Sequence, residues 1–383
     1  MESWILWFLF VLAIAAGWWL GRRERKKPQS LELGLRYLLN DQQDQAVAAL
    51  VGELEFLSDN VETHLALGGL LRRRGELERA VVVHESILSR TPLDTKTRHQ
   101  VEIELARDYL QAGLLDRAEA LSLKLARENP KYQTESLKIT LSIYEQEREW
   151  QKAIDTAKLM VGGENQLQID DAISHYYCEQ AEQQFGKGDI AAARVAISGA
   201  TGHLSTNPRV SLIQAKMELH EGRFEQAIKV LKRLPEQDVD FVPEALLLLK
   251  KAYQLGGFEL DDYRQFLESC LTKTASISIV LAVAEIVKEV QGDEAAAKYI
   301  ANYLKKNPTI RGLTQLIDLH VENAHGISKQ NLYILRSFAE ALAADKPAYR
   351  CIECGFEGKR LNWRCPSCKK WSSTRPIFGL EGE

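Results

Sequence analysis

Residues 61–92 read VETHLALGGLLRRRGELERAVVVHESILSRTP, and their spacing decides the fold. Small or apolar residues stand at Leu67, Gly68 and Leu71. A turn follows at Gly75, then come Ala80 and Ile87, and Pro92 closes the stretch. Apolar residues recurring at three- and four-residue steps describe an amphipathic helix, whereas a strand would alternate every second residue. Two such helices joined at a glycine make a helix–turn–helix unit. Small residues let the paired helices approach, and a proline cannot continue the second one.

The unit recurs along the chain. With the alanine of each second helix as marker, it appears at Ala46, Ala80, Ala118, Ala153, Ala193, Ala227 and Ala297. Successive gaps are 34, 38, 35, 40, 34 and 70 residues, the last being two repeats of 35. The repeat inside that long gap centres on Gly257 and Phe266, with Asp262 at the alanine position. Interhelix turns recur as RRGELE, QAGLLD, FGKGDI, HEGRFE and VQGDEA, and Pro130, Pro208 and Pro308 fall near repeat ends. This is the tetratricopeptide pattern. The predicted fold is an all-α tetratricopeptide-repeat superhelix of about eight repeats spanning residues 31–345, with the helices of 313–345 as an atypical cap.

Such an array is a binding scaffold whose concave wall is lined by first helices. In register, that wall includes Glu62, Leu65, Arg72 and Arg73, then Arg107 and Gln111, then Glu135, Lys138 and Glu145. The candidate partner contacts are Arg72, Arg73, Arg107 and Lys138. A solvated face accounts for the same charges, and their mixed sign names no ligand.

Near the C-terminus, four of the six cysteines form two matched pairs, Cys351/Cys354 and Cys365/Cys368. Each Cys-x-x-Cys turn aims two sulfurs at one spot, and two such turns at this spacing predict a tetrahedral four-thiolate site for one metal ion. Gly355 and Pro366 are turn-formers that let backbone N–H groups point at the sulfurs. Four protein ligands close the site, so its expected role is structural. A module over residues 346–383 cannot bury enough apolar surface to fold alone, and metal binding supplies the missing stability. Cys178 and Cys270 stand alone in helical segments and read as buried small hydrophobes.

At the other end, Ser3–Gly21 carries no charge and is flanked by Trp4, Trp7, Trp18 and Trp19. Nineteen helical residues reach about 28 Å, close to the hydrocarbon thickness of a bilayer. Arg22, Arg23, Arg25, Lys26 and Lys27 follow directly. A transmembrane anchor over residues 1–21 and a basic linker over 22–30 are expected, with the bulk of the chain on the cytoplasmic side. The formal net charge of −4 gives no global field for nucleic acid. The tail 349–376 alone carries seven basic residues against two acidic ones, a local excess of +5. That patch leaves a nucleic-acid reading open. An iron site in the tail leaves an electron-transfer reading open.

No phosphate-binding loop, HExxH pair or GxSxG elbow is present in the sequence. His64 and His84 fall at packing positions, and His320 and His325 have no evident carboxylate partner. The chain is not expected to be an enzyme.

The combination of WWLGRRERKK after the span, YRCIECGF at 349–356 and NWRCPSCKKWSSTRPIFGL at 362–380 resembles the lipopolysaccharide assembly protein B family. The resemblance covers essentially the whole chain. It implies a rubredoxin-like last module with iron or zinc at Cys351, Cys354, Cys365 and Cys368, packed against the array. It also implies an inner-membrane adaptor in lipopolysaccharide regulation. Its expected partners are the membrane AAA+ protease, the deacetylase committing sugar nucleotide to lipid A, and an inner-membrane protein that senses lipopolysaccharide. A homo-oligomer is compatible with the resemblance. One departure is Lys369, where a rubredoxin carries glycine, which makes metal binding a firmer expectation than redox chemistry.

Overall fold

A computed structural model describes residues 36–37, 61–90, 92–160, 166–380 and 382. The expected anchor, the basic linker and the marker Ala46 lie outside the described residues. Among those described, no helix is long and apolar enough to cross a membrane. The chain divides into two units, Met1–Glu147 and Arg148–Glu383.

The described part of the first unit holds α1 (Val61–Arg73), α2 (Leu77–Arg90), α3 (Thr95–Gln111), α4 (Leu115–Glu128) and α5 (Pro130–Glu147). Each is a neighbour of the next. The turns at Gly75 (φ +80°) and Gly113 (φ +74°) share one closure. The residue after each glycine donates its N–H five residues back, Glu76 to Leu71 O and Leu114 to Tyr109 O. A left-handed glycine lets the orphan carbonyls of the first helix be satisfied in this way. Ala80 and Ala118 are wholly buried at the helix crossings. Gly68 is equally constrained, because a Cβ there would lie 2.4 Å from Nε2 of the buried His84. His84 Nδ1 donates to Asp108, which also accepts from Arg72 at 2.7 Å.

The second unit runs through α6 (Trp150–Lys158), α7 (Gln166–Gly186), α8 (Ile190–His203), α9 (Pro208–His220) and α10 (Phe224–Leu231). A helical turn at Leu234–Gln237 and a 3-10 turn at Val239–Phe241 lead to α11 (Val242–Gly256). Then follow α12 (Leu260–Leu271), α13 (Ile277–Gln291), α14 (Asp293–Leu304), α15 (Ile310–Asn323) and α16 (Gly326–Ala343). Ala153, Ala193 and Ala227 are fully buried at the fourth position of their helices. The Gly188, Gly222 and Gly257 turns repeat the closure of the first unit.

Three details depart from the sequence reading. In α12 the fourth position belongs to the buried Tyr263, while Asp262 is exposed and accepts from Lys232. In α14 the position falls to Ala296, one residue before Ala297. Pro130 and Pro208 each open the next helix, where the missing N–H costs nothing, rather than close the previous one. The cap differs as well. Of α16 only Ala339 is buried, and Ile334, Phe338 and Leu342 face solvent where a polar face is usual.

The chain ends in a small antiparallel sheet of β1 (Tyr349–Cys351), β2 (Glu357–Gly358) and β3 (Thr374–Pro376), in the order β2-β1-β3.

Candidate metal centre and its seat on the array

The two cysteine turns are built alike. In the first, the Gly355 N–H donates to Cys351 O at 3.0 Å and the Cys351 N–H donates to Phe356 O at 2.7 Å. In the second, the Lys369 N–H donates to Cys365 O at 3.0 Å and the Cys365 N–H to Lys370 O at 2.9 Å. Gly355 (φ +75°) and Lys369 (φ +60°) hold the same left-handed place. Glycine does so freely, whereas a lysine gives up about 1–2 kcal/mol. The Lys369 ammonium caps Pro366 O at 2.6 Å, a partial offset.

These turns bring four sulfurs together. Cys351 Sγ lies 3.7 Å from Cys368 Sγ and Cys354 Sγ 3.6 Å from Cys365 Sγ, with all four within 4.8 Å of one another. Thiolates bound at about 2.3 Å around a tetrahedral ion stand roughly 3.8 Å apart, so the set fits one zinc or iron ion. Both short contacts cross between the turns, and an ion there ties them together. Burial pushes the Cys351 thiol up, but hydrogen bonds from the Ser373 hydroxyl and the N–H groups of Cys354 and Glu353 outweigh it and bring it to about 6. The Phe356 N–H holds Cys354 below the usual thiol range. The Lys370 N–H favours the Cys368 thiolate, yet burial and the three neighbouring sulfurs push it up to about 11. A divalent cation among the sulfurs removes that repulsion. Four sulfurs leave no open coordination position, which is the pattern of a structural site. Cys178 and Cys270 are free and buried, and burial pushes Cys178 up to about 12.

Two tryptophans seat the module on the second unit. Trp371 stacks on His175 at 4.9 Å between ring centroids and meets Tyr176 and Trp150 edge-on at 5.8 and 6.4 Å. Trp363 stacks on Phe241 at 5.1 Å, and the Arg209 guanidinium lies over its ring at 5.9 Å from the centroid. Polar bonds fix the orientation. The Ser372 hydroxyl donates to Asp171 Oδ1 at 2.8 Å and accepts from His175 Nε2 at 2.8 Å. Arg375 pairs with Asp238, the Tyr349 hydroxyl donates to Glu244, and the Ile310 N–H donates to Leu380 O at 2.9 Å. Burial, with Arg209 nearby, holds His175 well below its ordinary value, so it is neutral. Sequence reasoning did not single out this receiving face. Its one signal was Trp150, which opens its helix where five other repeats have Leu77, Leu115, Ile190, Phe224 and Leu260 and a sixth has Asp293.

The expected wall residues fall into two kinds. Arg72 is bound to Glu104 and Asp108, and Arg107 to Glu104 and Glu135, so both serve contacts between helices of the first unit. Arg73 and Lys138 are exposed. In the second unit, the first helices α11, α13 and α15 line a cleft of about 790 Å³ in which Leu247 is 64 % exposed. Of the tail's basic residues, Arg350, Lys370 and Arg375 are held in ion pairs with Glu357, Glu353 and Asp238, which reduces the patch open to a polyanion.

A family model described as a rubredoxin metal binding domain matches residues 349–376. Lipopolysaccharide assembly protein B of Escherichia coli K12 is 34% identical over 389 residues, covering 99% of both chains. The protein of that name from Haemophilus influenzae is 29% identical over 98% of this chain and 99% of its own. Among solved structures, a tetratricopeptide repeat protein from Parabacteroides merdae aligns over 76% of this chain and 97% of that one, at 16% identity and a TM-score of 0.29. That likeness is too slight to add to the fold.

Proposed function

Because the chain belongs to the lipopolysaccharide assembly protein B family, we propose that it is a non-catalytic inner-membrane adaptor that regulates lipopolysaccharide synthesis. In this reading it presents the lipid A pathway deacetylase to the membrane AAA+ protease. It also answers to an inner-membrane protein that senses lipopolysaccharide. The observation that carries the proposal is the 34% identity running from end to end, so that the array and the cysteine-bearing tail are shared together. The closed four-sulfur site adds to it, since it offers structure rather than reactivity.

The parts divide the work. The uncharged span at Ser3–Gly21 anchors the chain, and confinement below the bilayer raises its effective concentration near other membrane proteins. The cleft of α11, α13 and α15 receives a segment of the partner. Its exposed Leu247 offers an apolar anchor point, and Arg73 and Lys138 offer free charge on the first unit. Iron or zinc at the four cysteines keeps the tail folded on the array.

The test is the deacetylase half-life in cells lacking the chain and complemented with variants. The intact protein should shorten it severalfold, and Leu247→Asp should lengthen it again at equal expression and metal content. A half-life unmoved by the intact, membrane-bound chain refutes the adaptor role.

A further inference from the structure

Where the tail meets the array, a cleft of about 360 Å³ is lined by residues from both sides of the seam. Arg209 and Lys216 come from α9, and Lys359 and Arg360 from the tail. Lys216, Lys359 and Arg360 therefore share a docking seam, where like charges repel, beside an Arg209 balanced by Glu179 and Glu182. Two carboxylates share the lining: Glu182 is paired with a cation, and Glu244 is bonded to a neutral hydroxyl and keeps its charge. Glu182 accepts from Arg209 Nη2 at 2.8 Å, and Glu244 accepts from the Tyr349 hydroxyl. Lys359 donates to the backbone oxygen of Ala344 at 2.6 Å, which leaves its charge uncompensated. Among the described residues, no ion pair engages Lys216 or Arg360, and both side chains are exposed.

Arg209 makes this more than a scatter of surface lysines. It is only 3 % exposed, and Nη2 is shared between Glu179 and Glu182. Its Nε and Nη1 are buried with no acceptor. The Trp363 ring covers one side of the guanidinium, but a π face accepts weakly beside an oxygen anion. Buried N–H donors without acceptors are rare in folded proteins.

We propose that this seam cleft binds a phosphate-bearing ligand, gripped by Lys216 and Arg360 with Arg209 and Lys359 behind them. The ligand bridges tail and array, so it locks the metal module in place. This proposal stands independently of the adaptor reading.

The test uses the full chain in mild detergent, titrated with inorganic phosphate and, separately, with short-chain phosphatidic acid below its micelle concentration. Binding is followed by calorimetry and by the change in total tryptophan fluorescence that Trp363 in the lining contributes to. At least one probe should bind saturably, weaken with added salt, and slow proteolytic release of the tail. The double variant Lys216→Ala/Arg360→Ala should weaken it at least tenfold with helicity and metal content unchanged. Preference for phosphate identifies a soluble phosphoryl ligand, and preference for phosphatidic acid a lipid headgroup. Absence of saturable binding by both probes, or binding indifferent to the double variant, overturns the proposal. Lys216→Arg should keep binding within about threefold if charge is what matters, and a tenfold loss there also counts against it.

Discussion

Replacing Trp371 with alanine should release the metal module from the array without emptying the metal site. The ring makes three aromatic contacts, with His175, Tyr176 and Trp150. Such pairs contribute about 0.5–1.5 kcal/mol each beyond the area they bury. Truncation of a fully buried Trp to Ala removes roughly 3–5 kcal/mol. Because Trp371 is half-buried, the lower end applies, about 3 kcal/mol, which is near two decades in the docked-to-released ratio. The Ile310 N–H donates to Leu380 O, so its exchange with solvent deuterium reports release directly. In Trp371→Ala that amide should exchange about a hundredfold faster. Metal content and far-ultraviolet circular dichroism should stay at wild-type values. Exchange at Ile310 within threefold of wild type, in a variant that is otherwise folded, would show that this aromatic cluster does not hold the module.

Cys351→Ser should lower the metal from about one ion per chain toward zero, and residues 349–376 should become protease-sensitive while the repeats keep their helicity. Metal analysis and limited proteolysis read both. Docking should also weaken in acid, because His175 stays neutral when docked and takes up a proton when released. Its docked pKa is lowered, so the contribution is complete above the ordinary value near 6.5 and is lost below it, by at most about tenfold per pH unit. Ile310 exchange measured against pH should show that slope, and His175→Gln should remove it and leave the opposite acid trend of Asp171, whose carboxyl burial pushes up. Arg72→Glu would set a carboxylate against Asp108 and Glu104 and lower stability by about 2–4 kcal/mol. Arg73→Glu at the exposed neighbouring position should stay within about 0.5 kcal/mol, both read by denaturant melts.

The contrast between Arg72 and Arg73 shows where sequence reading stops. Both look like free charges on one helix, and only the partner 36 residues away in α3 makes Arg72 a structural group. The alanines were legible because a small side chain is needed where two helices cross closely, a need that recurs in the described repeats except at α12, where Tyr263 fills the position. Asp262 and Ala297 each miss the crossing by one residue, because the loops at Gly257 and Gly292 are one residue longer and one shorter than at the other glycine turns. The helix start, not the glycine, sets the register. The metal ligands could be read because each pair is local, closed by its own turn. Their seat could not, since Ser372 meets His175 across 197 residues of chain, and no periodicity links the two.

That separation also sets an order in time. At about 5–20 residues per second, roughly 10–40 s of synthesis pass between the appearance of His175 and that of Ser372. Throughout that interval the faces of Trp150, His175 and Tyr176 are bare on repeats that are otherwise ready to fold, and Phe241 joins them once it is made. They are covered only when the last stretch of the chain has left the ribosome and closed on its metal. A chain cut short before Trp363 never covers them. Without the tail, those aromatic faces form an exposed apolar patch of the kind that promotes association.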